Sequence, residues 1–195
     1  MIAFRSLQKR IAKWRADESG SVAVETILMV PLLAWAMLST LSFFDAYRTE
    51  AISTRASLTI ADMFSRETDY INNTYMDGAR NLLQFLTLAD DAPDLRVTVI
   101  RWDEDEDRHR RVWSRQRGGV GWLSQSQVAN LADRLPEMTD DEVIILVQTF
   151  TDYEPIYGVG IDPYRISTFT VISPRFVNGQ FCWNNTGEEE DSICT

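Results

Sequence analysis

The feature that most constrains this chain is a long apolar run close to its N-terminus. From Ser21 to Phe44 the sequence reads SVAVETILMVPLLAWAMLSTLSFF, and Glu25 is its only ionisable side chain. About 20 consecutive apolar residues suffice for a helix to cross the hydrocarbon core of a bilayer. The sequence therefore predicts one transmembrane helix at residues 21–44.

The charges on either side of this run predict how the helix is oriented. Five basic residues precede it: Arg5, Lys9, Arg10, Lys13 and Arg15. After it, Arg48 is the only basic residue before Arg55. Because flanking segments rich in lysine and arginine stay in the cytoplasm, we expect a cytoplasmic N-terminus and a C-terminal domain across the membrane.

The chain beyond the basic segment is acidic. The formal net charge is -10, and removal of residues 1–20 would take away five basic and two acidic side chains and bring it to -13. A surface of this charge repels phosphate groups. We therefore expect neither nucleic acid nor an anionic lipid surface as a partner.

The two cysteines of the chain, Cys182 and Cys194, lie near the C-terminus. The segment between them has no metal-ligand spacing and no nearby histidine. In an oxidising compartment, a disulfide that closes so short a loop would stabilise the fold by roughly 3 kcal/mol. We expect the two cysteines to be joined, and two unrelated thiols are the alternative.

The junction between the polar leader and the apolar run carries a recognisable pattern. The segment ESGSVAVE has a glycine, Gly20, at the boundary and a lone glutamate, Glu25, five residues after it. This junction resembles the class III leader of type IV pilins, in particular that of the TadE and TadG-like proteins of the Tad (Flp) tight-adherence pilus. The resemblance implies that a prepilin peptidase cuts between Gly20 and Ser21. Ordinary signal cleavage after Ala36 is the alternative.

The resemblance also assigns roles to two residues of the apolar run. A carboxylate in a membrane helix is costly unless a cation pairs with it, and in pilins the new N-terminal amine of a neighbouring subunit supplies that cation. Glu25 would then guide subunit assembly, with the amine on Ser21, whereas the alternative is a passive glutamate at the membrane surface. Pro31, which is followed by leucines as in TadE-like helices, predicts a kink in the span.

On this resemblance we expect a structural or assembly subunit, a minor pilin or pseudopilin of a pilus used for surface adhesion. Its partners would be the bacterial inner membrane, other pilin and pseudopilin subunits, the prepilin peptidase and the Tad secretion machinery, with the C-terminal domain in the periplasm. The alternative is an uncleaved single-pass protein that presents an envelope binding module. The two differ in whether the bond after Gly20 is cut.

Catalytic motifs are missing from the sequence. The only histidine, His109, lies in the charged run RHRR, where we expect an exposed ring that is unsuited to nucleophilic chemistry. The sequence has no phosphate-binding glycine loop, zinc spacing or dinucleotide fingerprint. We therefore expect no enzyme, no cofactor, no metal and no small-molecule substrate.

The chain divides into four predicted parts: a leader at 1–20, the transmembrane helix at 21–44, a helical extension with a second helix at 45–90, and a head domain at 91–195. We expect an α+β fold in which the first helix continues to about Arg66 as a stalk, because no glycine or proline interrupts residues 32–77. Such a helix would be about 69 Å long, and Ile60 and Phe64 would lie on one face of it.

The pattern after the first helix predicts two shorter helices and four strands. The second helix is expected at 79–89, after the Asp77-Gly78 pair, with Leu82, Leu83, Phe85 and Leu86 facing inward. Strands at 95–102 and 110–115 would flank the acidic run 103–107 as a hairpin whose tip is solvated and linked to Arg108, Arg110 and Arg111. A helix at 124–135 and an antiparallel pair at 142–153 and 165–173 would complete the head.

Overall fold

The computed structural model describes residues 19–176, 181–186 and 192–194. It has the predicted α+β fold, with one long apolar N-terminal helix and a four-stranded antiparallel sheet. The predicted leader residues 1–18 and the acidic segment Glu188–Asp191 lie outside the described residues.

The helices and strands follow one another along the chain as α1 Ser19–Ser65, α2 Asn73–Thr87, β1 Asp94–Asp103, β2 Arg108–Arg117, α3 Gln125–Ala129, β3 Val143–Tyr153 and β4 Tyr164–Ile172. The strands are ordered β2-β1-β3-β4 in the sheet, and every neighbouring pair is antiparallel. The chain forms two compact units. The first comprises residues up to Asp45 together with the loop Pro155–Ile161, and the second comprises Ala46–Glu154 and the chain from Asp162 onward.

The first helix agrees with the prediction at its C-terminal end. It is helical from Ser19, the first residue that the structure describes, and ends at Ser65, one residue before the expected Arg66. It remains helical through Pro31, and the kink there stays a prediction. Ile60 and Phe64 are both fully buried, as their spacing of four residues predicts for one helix face.

Both faces of the sheet are covered, because apolar residues alternate between two clusters along β1. Val99 belongs to the larger cluster and the next residue, Ile100, to the smaller one, as expected when successive side chains of a strand point to opposite faces. The larger cluster joins the sheet to both long helices and to the C-terminal segment through Phe64, Leu83 and Trp183, among others. The smaller cluster joins the other face to the segment between β2 and β3.

The second helix begins earlier than predicted. It begins at Asn73 because the side chain of Asn72 accepts a hydrogen bond from the backbone N–H of Tyr75 at 2.8 Å and so caps the first turn. Gly78 therefore lies inside the helix and does not precede it. Leu83 is fully buried as predicted, but the inward placement of Phe85 is wrong, since its side chain is 73% exposed.

The helix predicted at 124–135 is much shorter in the structure. Ser124 and Gln127 form a capping box at its start, which confirms the predicted N-cap. The α-helix ends at Ala129, however, and a single 3-10 turn at Ala132–Arg134 follows. The next residue, Leu135, is extended because it precedes Pro136, and a residue before proline is disfavoured in the helical region.

The first hairpin is confirmed, with two differences at its tip. Arg108 pairs with Glu106, and Arg110 pairs with Asp103 at 3.0 Å, as expected. The predicted link of Arg111 to the acidic run is wrong, because its guanidinium group lies 4.9 Å from the ring centre of Trp122. His109 is half-buried and not exposed, since its ring packs edge-on against Trp102 with centres 4.8 Å apart.

The edge strand β2 is protected along much of its outer side. The side-chain amide of Gln125 accepts from the backbone N–H of Arg111 at 2.7 Å and donates to the carbonyl of His109 at 2.6 Å. Further along, the guanidinium groups of Arg115 and Arg117 donate to the carbonyl oxygens of the residues that precede them. The unpaired backbone N–H and C=O groups of an edge strand can hydrogen-bond to another chain. The contacts of Gln125, Arg115 and Arg117 occupy several of these groups on β2.

Candidate membrane-spanning and assembly site

The apolar run lies on the surface of the first unit. Between Val22 and Phe44 the large apolar side chains other than Leu38 are about half exposed or more, with Ile27 at 70% and Phe44 at 77%. A helix in the core of a water-soluble domain would bury such side chains. Val22–Phe44 is about 34 Å long at 1.5 Å per residue, against a hydrocarbon core of about 30 Å. The helix is thus long and apolar enough to cross a membrane.

Two threonine hydroxyl groups of this helix are hydrogen-bonded in a way that suits an apolar surrounding, whereas the buried hydroxyl of Ser39 has no partner among the described residues. The Thr26 hydroxyl donates to the carbonyl of Val22 at 2.8 Å, and the Thr40 hydroxyl donates to the carbonyl of Ala36 at 2.9 Å. Polar groups that face lipid must find partners within the protein. Both threonines find theirs one turn back in their own helix.

Glu25 is the only ionisable side chain of this apolar run. Its side chain is exposed, and within residues 19–176, 181–186 and 192–194 no cation forms an ion pair with it. A carboxylate placed in this way among apolar side chains is costly in a bilayer and calls for a partner. The described part of the chain offers none.

The predicted cleavage site lies one turn before Glu25. The backbone of Gly20 and Ser21 is helical, and Glu25 lies four positions after Ser21, a rise of about 6 Å along the axis. The structure therefore brings the predicted processing and assembly residues together on the first turns of α1. An amine created at Ser21 would extend beyond the end of the helix, where a neighbouring subunit could approach it.

The predicted disulfide is present in the second unit, where Cys182 is bonded to Cys194. Trp183 exchanges two backbone hydrogen bonds of 2.9 Å with Ile193, and Ile71 exchanges two more of the same length with the residues on either side of Trp183. The ring of Trp183 packs against Trp113 with centres 5.9 Å apart. The disulfide thus closes a C-terminal segment that forms part of the main core.

This disulfide gives a prediction that needs no knowledge of the partners. Full-length protein that is unfolded without reductant should show no reactive thiol, because Cys182 and Cys194 are joined. Replacing both by serine should lower the free energy of unfolding by about 3 kcal/mol, since the closed loop is short. Thiol labelling followed by mass spectrometry, and urea unfolding in non-ionic detergent, measure the two effects. Two reactive thiols in protein isolated from membranes would contradict the assignment.

A second surface feature was missed by sequence reasoning. Arg111 and Arg115 of β2 line a cleft of about 330 Å³, and Trp122, which follows the strand, lines it too. The guanidinium group of Arg115 lies 4.6 Å from the ring centre of Trp183, and burial, followed by the like charge of Arg111, lowers the pKa of Arg115. In the part of the chain that the structure describes, neither arginine has a carboxylate partner. The sequence did contain a signal for this cleft, because five of the ten residues of β2 are arginines in a chain of net charge -10.

The predicted site residues therefore fall into two groups. Gly20, Ser21, Glu25 and Pro31 share the helix α1, and the two cysteines close the C-terminal segment of the second unit. No protein-family model matches this chain, and no curated protein or solved structure matches it either.

Proposed function

We propose that this chain is a minor pilin or pseudopilin, a non-catalytic subunit that assembles a Tad (Flp) type IV pilus for surface adhesion. In this proposal the helix from Ser21 anchors the subunit in the bacterial inner membrane, with residues 1–20 in the cytoplasm and the C-terminal domain in the periplasm. Prepilin peptidase removes the leader, and the Tad secretion machinery joins the subunit to other pilins and pseudopilins.

One observation carries the proposal, namely the solitary carboxylate of Glu25 on an exposed apolar helix. A charged group is retained in a membrane span when it has a function, and its partner is the first thing to identify. Cleavage after Gly20 would supply a cationic partner, since it would create an amine one helical turn from the Glu25 carboxylate. The type IV pilin resemblance of residues 18–25 explains both features together.

The disulfide supports the proposed side of the membrane for the C-terminal domain. Disulfides persist in the bacterial periplasm and are rare in the cytoplasm. The basic residues before the apolar run favour a cytoplasmic location for the other end of the chain by an independent argument. Two unrelated signals thus give the same orientation.

N-terminal sequencing of the protein from isolated membranes tests this function directly. We expect the mature chain to begin at Ser21. A chain that begins at Met37 would instead indicate ordinary signal cleavage after Ala36, and would remove the helix on which the proposal depends. Either Met1 or Met37 as the first residue would contradict the pilin function.

A membrane-anchored binding module is the second candidate, and the cleft on β2 favours it. Two neighbouring arginines without a described carboxylate partner, beside the half-exposed ring of Trp122, suit an acidic ligand. An intact N-terminus at Met1 in the same experiment would favour this candidate. The ligand would then be sought at Arg111 and Arg115.

A further inference from the structure

The loop between β3 and β4 has an unusual composition for a surface segment of an acidic protein. Residues Pro155–Ile161 read PIYGVGI, without any charge, and the acidic residues Glu154 and Asp162 flank them on both sides. Connecting loops normally lie in water and are polar. A short apolar loop between two charges needs an apolar surrounding of its own.

This loop belongs to the same compact unit as the apolar part of α1. The hydroxyl group of Ser42, which is buried, donates to the carbonyl of Tyr157 at 3.3 Å. The same carbonyl accepts from the backbone N–H of Val159 at 2.8 Å, which closes a tight turn. The tip of the loop is therefore held against the helix at the level of Ser42.

Ser42 marks a defined depth on the helix. It lies in the last turn before Asp45, the first charged residue after the apolar run, and Phe43 and Phe44 follow it directly. Ser21 and Ser42 are separated by about 32 Å along a straight helix, which matches the thickness of the hydrocarbon core. If α1 crosses a bilayer, Ser42 lies at its outer boundary, and so does the carbonyl of Tyr157.

The side chains of the loop suit that depth. Ile156 is 71% exposed and Tyr157 is 43% exposed, and next to Ser42 on the helix Phe44 is 77% exposed. Tyrosine is enriched where membrane and water meet, because its ring is apolar and its hydroxyl is polar. A large apolar side chain beside it can bury its area in the outer part of the acyl chains.

We propose that the loop Pro155–Ile161 is a second membrane contact, which inserts Ile156 at the boundary of the acyl chains and places Tyr157 among the lipid headgroups. The contact is apolar and needs no anionic lipid, in keeping with the acidity of the chain. This inference rests on the proposed membrane anchoring by α1. The pilin resemblance assigns no membrane contact to this loop.

Spin labels on single cysteines can measure the depth of this loop in the full-length protein. The native cysteines are joined, so that labelling without reductant modifies only an introduced thiol. We would label Ile156→Cys, with Leu33→Cys as a reference within the span and Phe85→Cys as a matched control. Phe85 is equally apolar and 73% exposed, but it lies on α2 in the second unit. The protein is reconstituted in vesicles of phosphatidylcholine, which carry no net charge.

Collision rates with oxygen and with a neutral nickel chelate report the depth, because oxygen concentrates in the acyl chains and the chelate stays in water. We expect the oxygen-to-nickel ratio at position 156 to be several-fold higher than at position 85 and lower than at position 33. A second label at Gly158, where an added side chain meets no atom within 4 Å, should give an intermediate ratio between positions 156 and 85.

The reference label separates the two ways in which this inference can fail. A water-like ratio at position 33 would overturn both the anchoring by α1 and the loop contact. A membrane-like ratio at position 33 with equal, water-like ratios at positions 156, 158 and 85 would overturn the loop contact alone. A high ratio at position 156 supports the contact, whether or not the leader is cleaved.

Discussion

Replacing Gly20 by arginine should abolish removal of residues 1–20 and leave only the full-length precursor in membranes. Glycine is the smallest residue that a peptidase site can meet, and it weakens the first turn of α1 by up to about 1 kcal/mol relative to alanine. That turn must open for the bond to Ser21 to enter an active site. Arginine adds a long charged side chain at the cut and favours the closed helix. Intact-mass analysis of membrane protein measures the precursor fraction.

Gly78→Arg is the matched control for this change. Gly78 lies inside α2, and a side chain added there meets no atom within 4 Å, so that the same substitution should fold and be processed normally. Gly20→Ala should retain partial processing, because it adds a single methyl group. If the Gly20→Arg protein still yields the chain that begins at Ser21, the class III leader interpretation is wrong.

Replacing Glu25 by glutamine should leave cleavage, membrane insertion and folding unchanged but should prevent assembly with other pilus subunits. Glutamine keeps the shape of the side chain and costs less to bury than a charge. The amine of a neighbouring subunit would lose its counter-ion. Breaking a buried ion pair costs about 3–5 kcal/mol, which is on the order of a hundredfold or more in an association constant. Co-purification with other pilus components and surface attachment measure the loss.

The control for Glu25 lies on the same helix. Glu50 is an exposed glutamate of α1 beyond the apolar run, and Glu50→Gln removes the same charge without touching the span. It should assemble like the unmodified protein. Assembly of Glu25→Gln at the unmodified level would instead identify the carboxylate as a passive group and would favour the anchored binding module.

Features with strong local signals could be predicted from the sequence. The first helix has no glycine or proline after Pro31 until Gly78 is reached, and its predicted C-terminal end is correct to within one residue. Strands β1, β3 and β4 are rich in β-branched residues. The two hairpin pairings, β1 with β2 and β3 with β4, could be predicted from the order of the strands along the chain and from the acidic turn at 104–107. The disulfide followed from a count of two cysteines.

Other features depend on contacts that no local pattern contains. Because Asn72 caps the helix, α2 starts at Asn73 and not after Asp77-Gly78, although Asp77-Gly78 is the stronger turn signal in the sequence. Phe85 is exposed because α2 buries a narrow stripe through Met76 and Leu83. The hydrogen bond from Ser42 to Tyr157 joins residues 115 positions apart. For the same reason, the sequence could indicate Glu25 but could not indicate the loop beside the end of the apolar run.

The C-terminal segment has a consequence for how the protein matures. Phe181 stacks on Trp113 with ring centres 5.5 Å apart and is almost fully buried, while Trp183 completes the same core. Phe181 and Trp183 follow all four strands in the sequence, so that the ribosome synthesises these last core residues only after the strands. A chain whose C-terminal domain is exported must reach the far side of the membrane with this core open. In the proposed topology, export of the subunit would therefore precede completion of its fold, and oxidation of Cys182 and Cys194 would mark the end of folding.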